Sequence, residues 1–207
     1  MPDGGCDLLW TGTSLVVAGP DRRARFVQHD PHAHACGVRF LPGAARQALG
    51  MPGAALVDAT LPAAAVLGER SAGELAERLA TAPADARPRL LASWASSRAR
   101  AVDHRDPAVA FVAAALARDP SLRIAALAER IGYSERQLRR RVTAEVGYAP
   151  KLLARILRLR RAVAEAGRDP TLSLADTALA CGYVDQAHLG HDAAALAGTT
   201  AAELLGR

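Results

Sequence analysis

The chain has 207 residues, enough for one large or two small domains, and its 50% hydrophobic content excludes disorder as an overall state. Aromatic residues are only 4%, and alanine supplies much of the apolar content, so the composition points to an alanine-rich helical protein with modest cores. The net charge of +5 is unevenly placed: residues 130–168 hold eleven Arg and Lys against three Glu, whereas residues 1–104 hold eleven basic and ten acidic groups. Charge concentrated on one segment implies a polyanionic partner for that segment alone.

In chain order, residues 6–10 (CDLLW) and 14–19 (SLVVAG) are short apolar runs separated by a TGT turn, a hairpin pattern. Residues 23–29 alternate, residues 35–43 give a further strand closed by Pro-Gly, and residues 56–62 read as one more strand or an extended loop. From Ser71 the pattern turns helical, with Ser71 and Glu74 spaced as a capping box, and a second helix is expected within 83–101. Residues 101–107 read as a linker. Asp106 and Pro107 then open a helix as N-cap and first turn, and Pro120 follows its end. Residues 123–132 form a short helix ending at Gly132. Ser134 caps the next, which ends at Gly147, and Pro150 starts a long one with Leu152, Ile156, Leu159 and Val163 on its apolar stripe.

The pattern then repeats. Residues 124–133 (IAALAERIGY) align with 174–183 (LADTALACGY) at an offset of 50: Ile124 with Leu174, Ala128 with Ala178, and Gly132-Tyr133 with Gly182-Tyr183. With one extra residue, Ser134 matches Asp185, Leu138 matches Leu189 and Gly147 matches Gly198. Caps, core positions and turn glycines coincide, which marks two helix–turn–helix units, about 123–147 and 173–198, joined by one long helix.

The helix after the first turn (SERQLRRRVT) separates its residues by face. At 100° per residue Leu138, Val142 and Val146 group on one side, and Arg136, Arg139, Arg140 and Thr143 on the other. A solvated arginine face is the plain alternative, but a basic helix after an A-x-x-x-G turn fits insertion into a DNA major groove, where guanidinium reaches guanine or phosphate. In the second copy Gln186, Ala187, His188 and His191 face outward around a buried Leu189, with no Arg or Lys among residues 185–198.

These residues resemble the AraC/XylS family of bacterial transcription regulators over about 106–205. The resemblance rests on A-x-x-x-G-Y-S-x-R-x-L-x-R at 128–140, G-Y-A-P at 147–150, R-L-R-R-A at 158–162 and A-x-x-x-G-Y-x-D-Q-x-H-L at 178–189. It implies a sequence-specific DNA-binding regulator whose two recognition helices enter successive major grooves. Arg136, Gln137, Arg139, Arg140, Gln186, Ala187, His188 and His191 would be the DNA-binding residues, and Arg155, Arg158 and Arg161 on the linking helix would contact phosphate. The second helix departs from the family pattern at Leu189, His191 and Ala193, and the closing segment is Gly198-Thr199-Thr200-Ala201. PDGGCDLLW, VVAGPD and GVRFLPGAA resemble a β-domain found upstream of this unit in some members. That domain has more chain before its PDG motif, so this chain is expected to start late.

The expected architecture is α+β: a small β-rich regulatory domain at 1–70, a helical connector and linker at 71–105, and an all-α DNA-binding domain at 106–207. Promoter DNA is the expected partner, with RNA polymerase, a small-molecule effector and a second copy of the chain as further partners of such regulators. The rival reading is a ligand-binding or enzymatic module with an accessory helical nucleic-acid-binding tail.

No enzymatic constellation stands out: there is no Walker motif near residues 50–55, no G-x-S-x-G, no H-E-x-x-H and no paired-carboxylate site. Cys6, Cys36 and Cys181 are scattered and have no zinc spacing, so reduced thiols are expected. His29, His32, His34 and Cys36 bring metal-binding chemistry together, but Asp30-Pro31 marks a turn and the alternation suits an exposed strand edge, so neither metal nor cofactor is expected. Without a basic-then-apolar leader or an apolar run of 18 residues, a cytoplasmic, nucleoid-associated protein is expected.

Overall fold

Alternation in the first strands is realised as one buried face. In a computed structural model of the chain, which describes residues 1–25, 35–101 and 105–207, β1 (Cys6–Trp10) buries Cys6, Leu8 and Trp10, and β2 (Leu15–Ala18) buries Leu15 and Val17. β3 (Cys36–Phe40) pairs with β1, Leu8 opposite Val38, and β4 (Thr60–Pro62) pairs with β2, Val17 opposite Leu61. The order is β3-β1-β2-β4, antiparallel throughout. The buried face of the sheet shares a core with α1 (Ala45–Leu49), α2 (Ala63–Leu67), α3 (Glu69–Thr81) and α4 (Arg87–Ala101). Leu8, Leu49, Leu56, Leu75, Leu79 and Leu91 are fully buried in this first core, each worth about 1.5–3 kcal/mol on burial.

The second core belongs to the helices that follow: α5 (Pro107–Arg118), α6 (Ile124–Arg130), α7 (Glu135–Val146), α8 (Pro150–Arg168), α9 (Leu174–Ala180), α10 (Gln186–Asp192) and α11 (Ala201–Leu205). A π-helical turn, Ala193–Ala197, continues α10. Leu138, Val142, Leu153, Ile156, Leu159 and Leu189 are buried together in it. The architecture is thus α+β, a small antiparallel sheet followed by a helical region. No helix among the described residues is long and apolar enough to cross a membrane.

Several local expectations differ from the structure. The capping box at Ser71 does not form: Gly68 takes φ 81 as N-cap, α3 starts at Glu69, and no side chain caps it. The region up to residue 70 also contains α1 and α2, which have five residues each and so too few turns to show a period of 3.6. Ala24 and Arg25 lie outside any strand, and the rest of the 23–29 alternation, with His29, His32 and His34, falls outside the described residues.

The sheet unit is seated directly on the helical region. Arg46 Nε donates to both carboxylate oxygens of Glu145 at 2.9 and 3.1 Å, and Ala24 N donates to Leu196 O at 2.7 Å. At Gly53 the two backbones meet so closely that an added Cβ would lie 2.5 Å from Glu145 O and 2.8 Å from Val146 C. Gly53→Ala should therefore destabilise the protein by about 1–3 kcal/mol, as overpacking does. Gly73→Ala, on α3 with nothing within 4 Å of its Cβ, should stabilise by about 0.5–1 kcal/mol. Urea unfolding of the two variants beside the parent measures both.

Candidate nucleic-acid interface

The two units share a turn built from the same atoms. Gly132 and Gly182 adopt φ 71 and 79, and the next residue folds back: Tyr133 N donates to Ala128 O at 3.0 Å, Tyr183 N to Ala178 O at 2.9 Å. A left-handed residue reverses the chain here at little cost only if it lacks a Cβ. Ala128 and Ala178, 1% and 0% exposed, are small enough to let the following helix pack against α6 and α9. The second helix of each unit runs to a left-handed glycine, α7 to Gly147 and α10, through the π-helical turn, to Gly198.

The duplication also reaches further upstream than helix periodicity shows. Asp119 accepts from the N–H and hydroxyl of Ser121 at 3.0 and 2.5 Å, and Asp169 from those of Thr171 at 3.0 and 2.6 Å. RDPSL at 118–122 and RDPTL at 168–172 are the sequence signal for this pair of turns.

In α7, Leu138, Val142 and Val146 are buried while Arg136, Arg139 and Arg140 are exposed. Ser134 Oγ accepts from Gln137 N, and Gln137 Oε1 accepts from Ser134 N at 2.9 Å. The Gln137 side chain therefore closes the capping box at the tip of the helix. Arg141 turns away from its three neighbours: its Nη1 donates to Asp106 Oδ2 at 2.6 Å and its guanidinium lies 5.0 Å from the centre of the Tyr133 ring. The other oxygen of Asp106 caps α5 by accepting from Ala108 N and Val109 N. One carboxylate thus ties α5 to α7.

In α10, Gln186, Ala187 and His191 are exposed, and Asp185 Oδ1 accepts from His188 N at 2.7 Å as N-cap. His188 is half-buried, edge-on to Tyr183 with ring centres 5.0 Å apart. Asp192 is buried, 2% exposed, and bound by Arg155 through Nη2 at 2.7 Å and Nε at 2.9 Å. Burial first, then the Asp192 carboxylate, push the Tyr183 phenol above its ordinary range.

The three arginines singled out on α8 are placed differently from one another. Arg155 holds Asp192. Arg158 donates to Pro120 O at 3.2 Å and lies 5.3 Å from the centre of the Tyr183 ring. Arg161 is exposed. Between the two units runs a groove of about 560 Å³ lined by Arg123, Lys151, Arg155, Arg158 and His188, with Glu135 beside them. Lys151 also lines a second hollow, about 360 Å³, together with Arg136 and Arg139. Helical periodicity does not single out Arg123 and Lys151, because each stands at the start of a helix, outside the periodic face.

Residues 127–207 match a family model described as a helix-turn-helix domain, a span that begins inside α6 and includes α7 and α10. No curated protein and no solved structure matches the chain.

The duplicated turns carry a pH signature. Hydrogen bonds from Ser121 and Thr171 hold the Asp119 and Asp169 carboxyls below the usual carboxylate range. A carboxyl lowered on folding stabilises above its unfolded pKa and loses that contribution as pH falls through the folded value. Asp119→Asn keeps the acceptor oxygen without the titration. Its stability, followed by urea unfolding from about pH 4 to about pH 2, should fall less steeply than that of the parent.

Proposed function

We propose that this chain is an AraC-type DNA-binding regulator that reads duplex DNA with α7 and α10 in successive major grooves, a reading that the helix-turn-helix match over residues 127–207 supports. The observation that carries the reading is the split of α7: three arginines stand exposed opposite a seam of fully buried Leu138, Val142 and Val146. The unit that presents this helix is built twice, with the same turn and the same left-handed stops. The sheet unit contacts the C-terminal end of α7, around Glu145, and the π-helical turn at Leu196. It leaves Arg136, Arg139, Arg140, Gln186, Ala187 and His191 exposed.

Arg136, Arg139 and Arg140 are the readers of the first half-site, where guanidinium pairs with guanine O6 and N7 or with phosphate. Gln186, Ala187, His188 and His191 read the second, where Gln186 suits adenine. Arg161, with Lys151 and Arg123 along the groove between the units, supplies phosphate contacts that carry no sequence information. The sheet unit and α1–α4 form the regulatory part.

Fluorescence anisotropy against random duplexes, followed by selection of preferred sequences, tests the assignment. With about six phosphate contacts, affinity should fall roughly 10³-fold between about 50 and about 200 mM salt. Absence of binding at the lower salt, or binding indifferent to salt, would overturn it. Selected sites should contain two segments about 10 bp apart, the one under α7 more sharply specified.

Arg140→Ala should cost about 1–3 kcal/mol and relax the preference under α7. His191→Ala should cost less and act on the other segment. A base-by-base substitution scan with both variants makes the comparison, and the opposite pattern would reverse the order of the two readers.

A further inference from the structure

The alignment that superposes the turns also superposes Arg141 and Asp192, because Leu138 matches Leu189 at an offset of 51. Both side chains point from the recognition helix toward the helix that precedes their unit. Arg141 meets Asp106 at the start of α5 at 2.6 Å, and Asp192 meets Arg155 of α8 at 2.7 Å. Asp106 and Arg155 themselves fall within one residue of each other when α5 and α8 are aligned by their ends, Arg118 and Arg168. The same tie is therefore made twice with its charges exchanged.

The two ties differ in the depth of the carboxylate alone: Asp106 is 16% exposed and Asp192 2%, while Arg141 and Arg155 are alike at 41% and 38%. The apolar seams differ in the opposite sense: Val142 and Val146 of α7 correspond to Ala193 and Ala197 after α10. Each Val-to-Ala difference removes buried methyl groups that would resist rotation of the helix against its neighbours. The second recognition helix thus has the thinner seam, and regular α-helix gives way to the π-helical turn directly after Asp192. A buried carboxylate is tolerated in such a place only when it is paired.

We propose that the Asp192–Arg155 pair is the positioning device of the second recognition helix, fixing its roll so that Gln186, Ala187 and His191 face the DNA, as Asp106–Arg141 does with opposite polarity for the first. Asp192 and Arg155 are then positioning residues that make no contact with DNA. The inference rests on the two-helix reading above for its effect on DNA, but the tie itself is testable without DNA.

Hydrogen exchange on the full-length Arg155→Met protein reads the tie directly. Amides of 186–197 should exchange roughly tenfold faster or more, with those of 135–146 unchanged. Unchanged exchange in both helices, or equal acceleration in both, would overturn the proposal.

On selected DNA, Arg155→Met should reduce discrimination against a scrambled second segment by about tenfold, keep discrimination at the first, and leave the slope of log affinity against log salt as in the parent. A slope lowered by about one, with both preferences intact, would make Arg155 a phosphate contact and sink the positioning role. The exchange variant Arg155→Asp/Asp192→Arg, which copies the polarity of the first unit, should restore the second preference. Asp192→Asn gives the same comparison should Arg155→Met fail to fold. A parent protein that binds no DNA would end the two-helix reading while leaving the hydrogen-exchange result to decide the tie.

Discussion

Each helix–turn–helix unit depends on one backbone hydrogen bond, from the N–H of the tyrosine that follows the turn glycine back to the carbonyl of an alanine on the preceding helix: Tyr133 to Ala128 and Tyr183 to Ala178. That bond closes only if the intervening glycine enters the left-handed region, which Gly132 and Gly182 do. It also needs a small residue where the helices cross, which the buried alanines supply. With the turn closed, the orientation of the second helix follows, and its buried leucine, Leu138 or Leu189, is carried into the core shared with α8. The tyrosine ring left at the bend then serves as a platform for a guanidinium, Arg141 in one unit and Arg158 in the other.

The N-terminal unit adds a constraint of another kind. It touches the C-terminal end of α7 through Arg46 and Gly53, and the π-helical turn after α10 through Ala24. Asp3 also approaches Arg160 on α8 at 3.7 Å. The sheet unit thus touches both units and the helix between them while leaving Arg136, Arg139 and Arg140 of α7 exposed.

What the sequence made legible was the periodic part: the helix boundaries of the first unit, the buried seam of α7 and the exposed placement of Arg136, Arg139 and Arg140 all follow from spacing, whereas the run 185–198, which reads as one helix, is α10 followed by a π-helical turn. Partners brought by other elements were not legible. Arg140 and Arg141 are adjacent in an apparently uniform charged run, yet only the tertiary position of Asp106 turns Arg141 inward. Arg155 likewise reads as surface charge until α10 places Asp192 beside it. Gln137 has the composition of a base reader, but its distance from Ser134 makes it half of a capping box. Ser71 and Glu74 have the spacing of a cap, yet Gly68, in a conformation that favours glycine, turns the chain into the helix before Ser71 is reached.

Among 26 basic side chains, Lys151 is the only amine. It stands exposed at the first turn of α8, lining both the hollow beside Arg136 and Arg139 and the groove between the units. Guanidinium groups are inert to most acylating reagents, so amine-directed side-chain chemistry on this protein converges on one point of the surface, beside α7 and α10. Acylation there erases one positive charge and leaves every arginine intact.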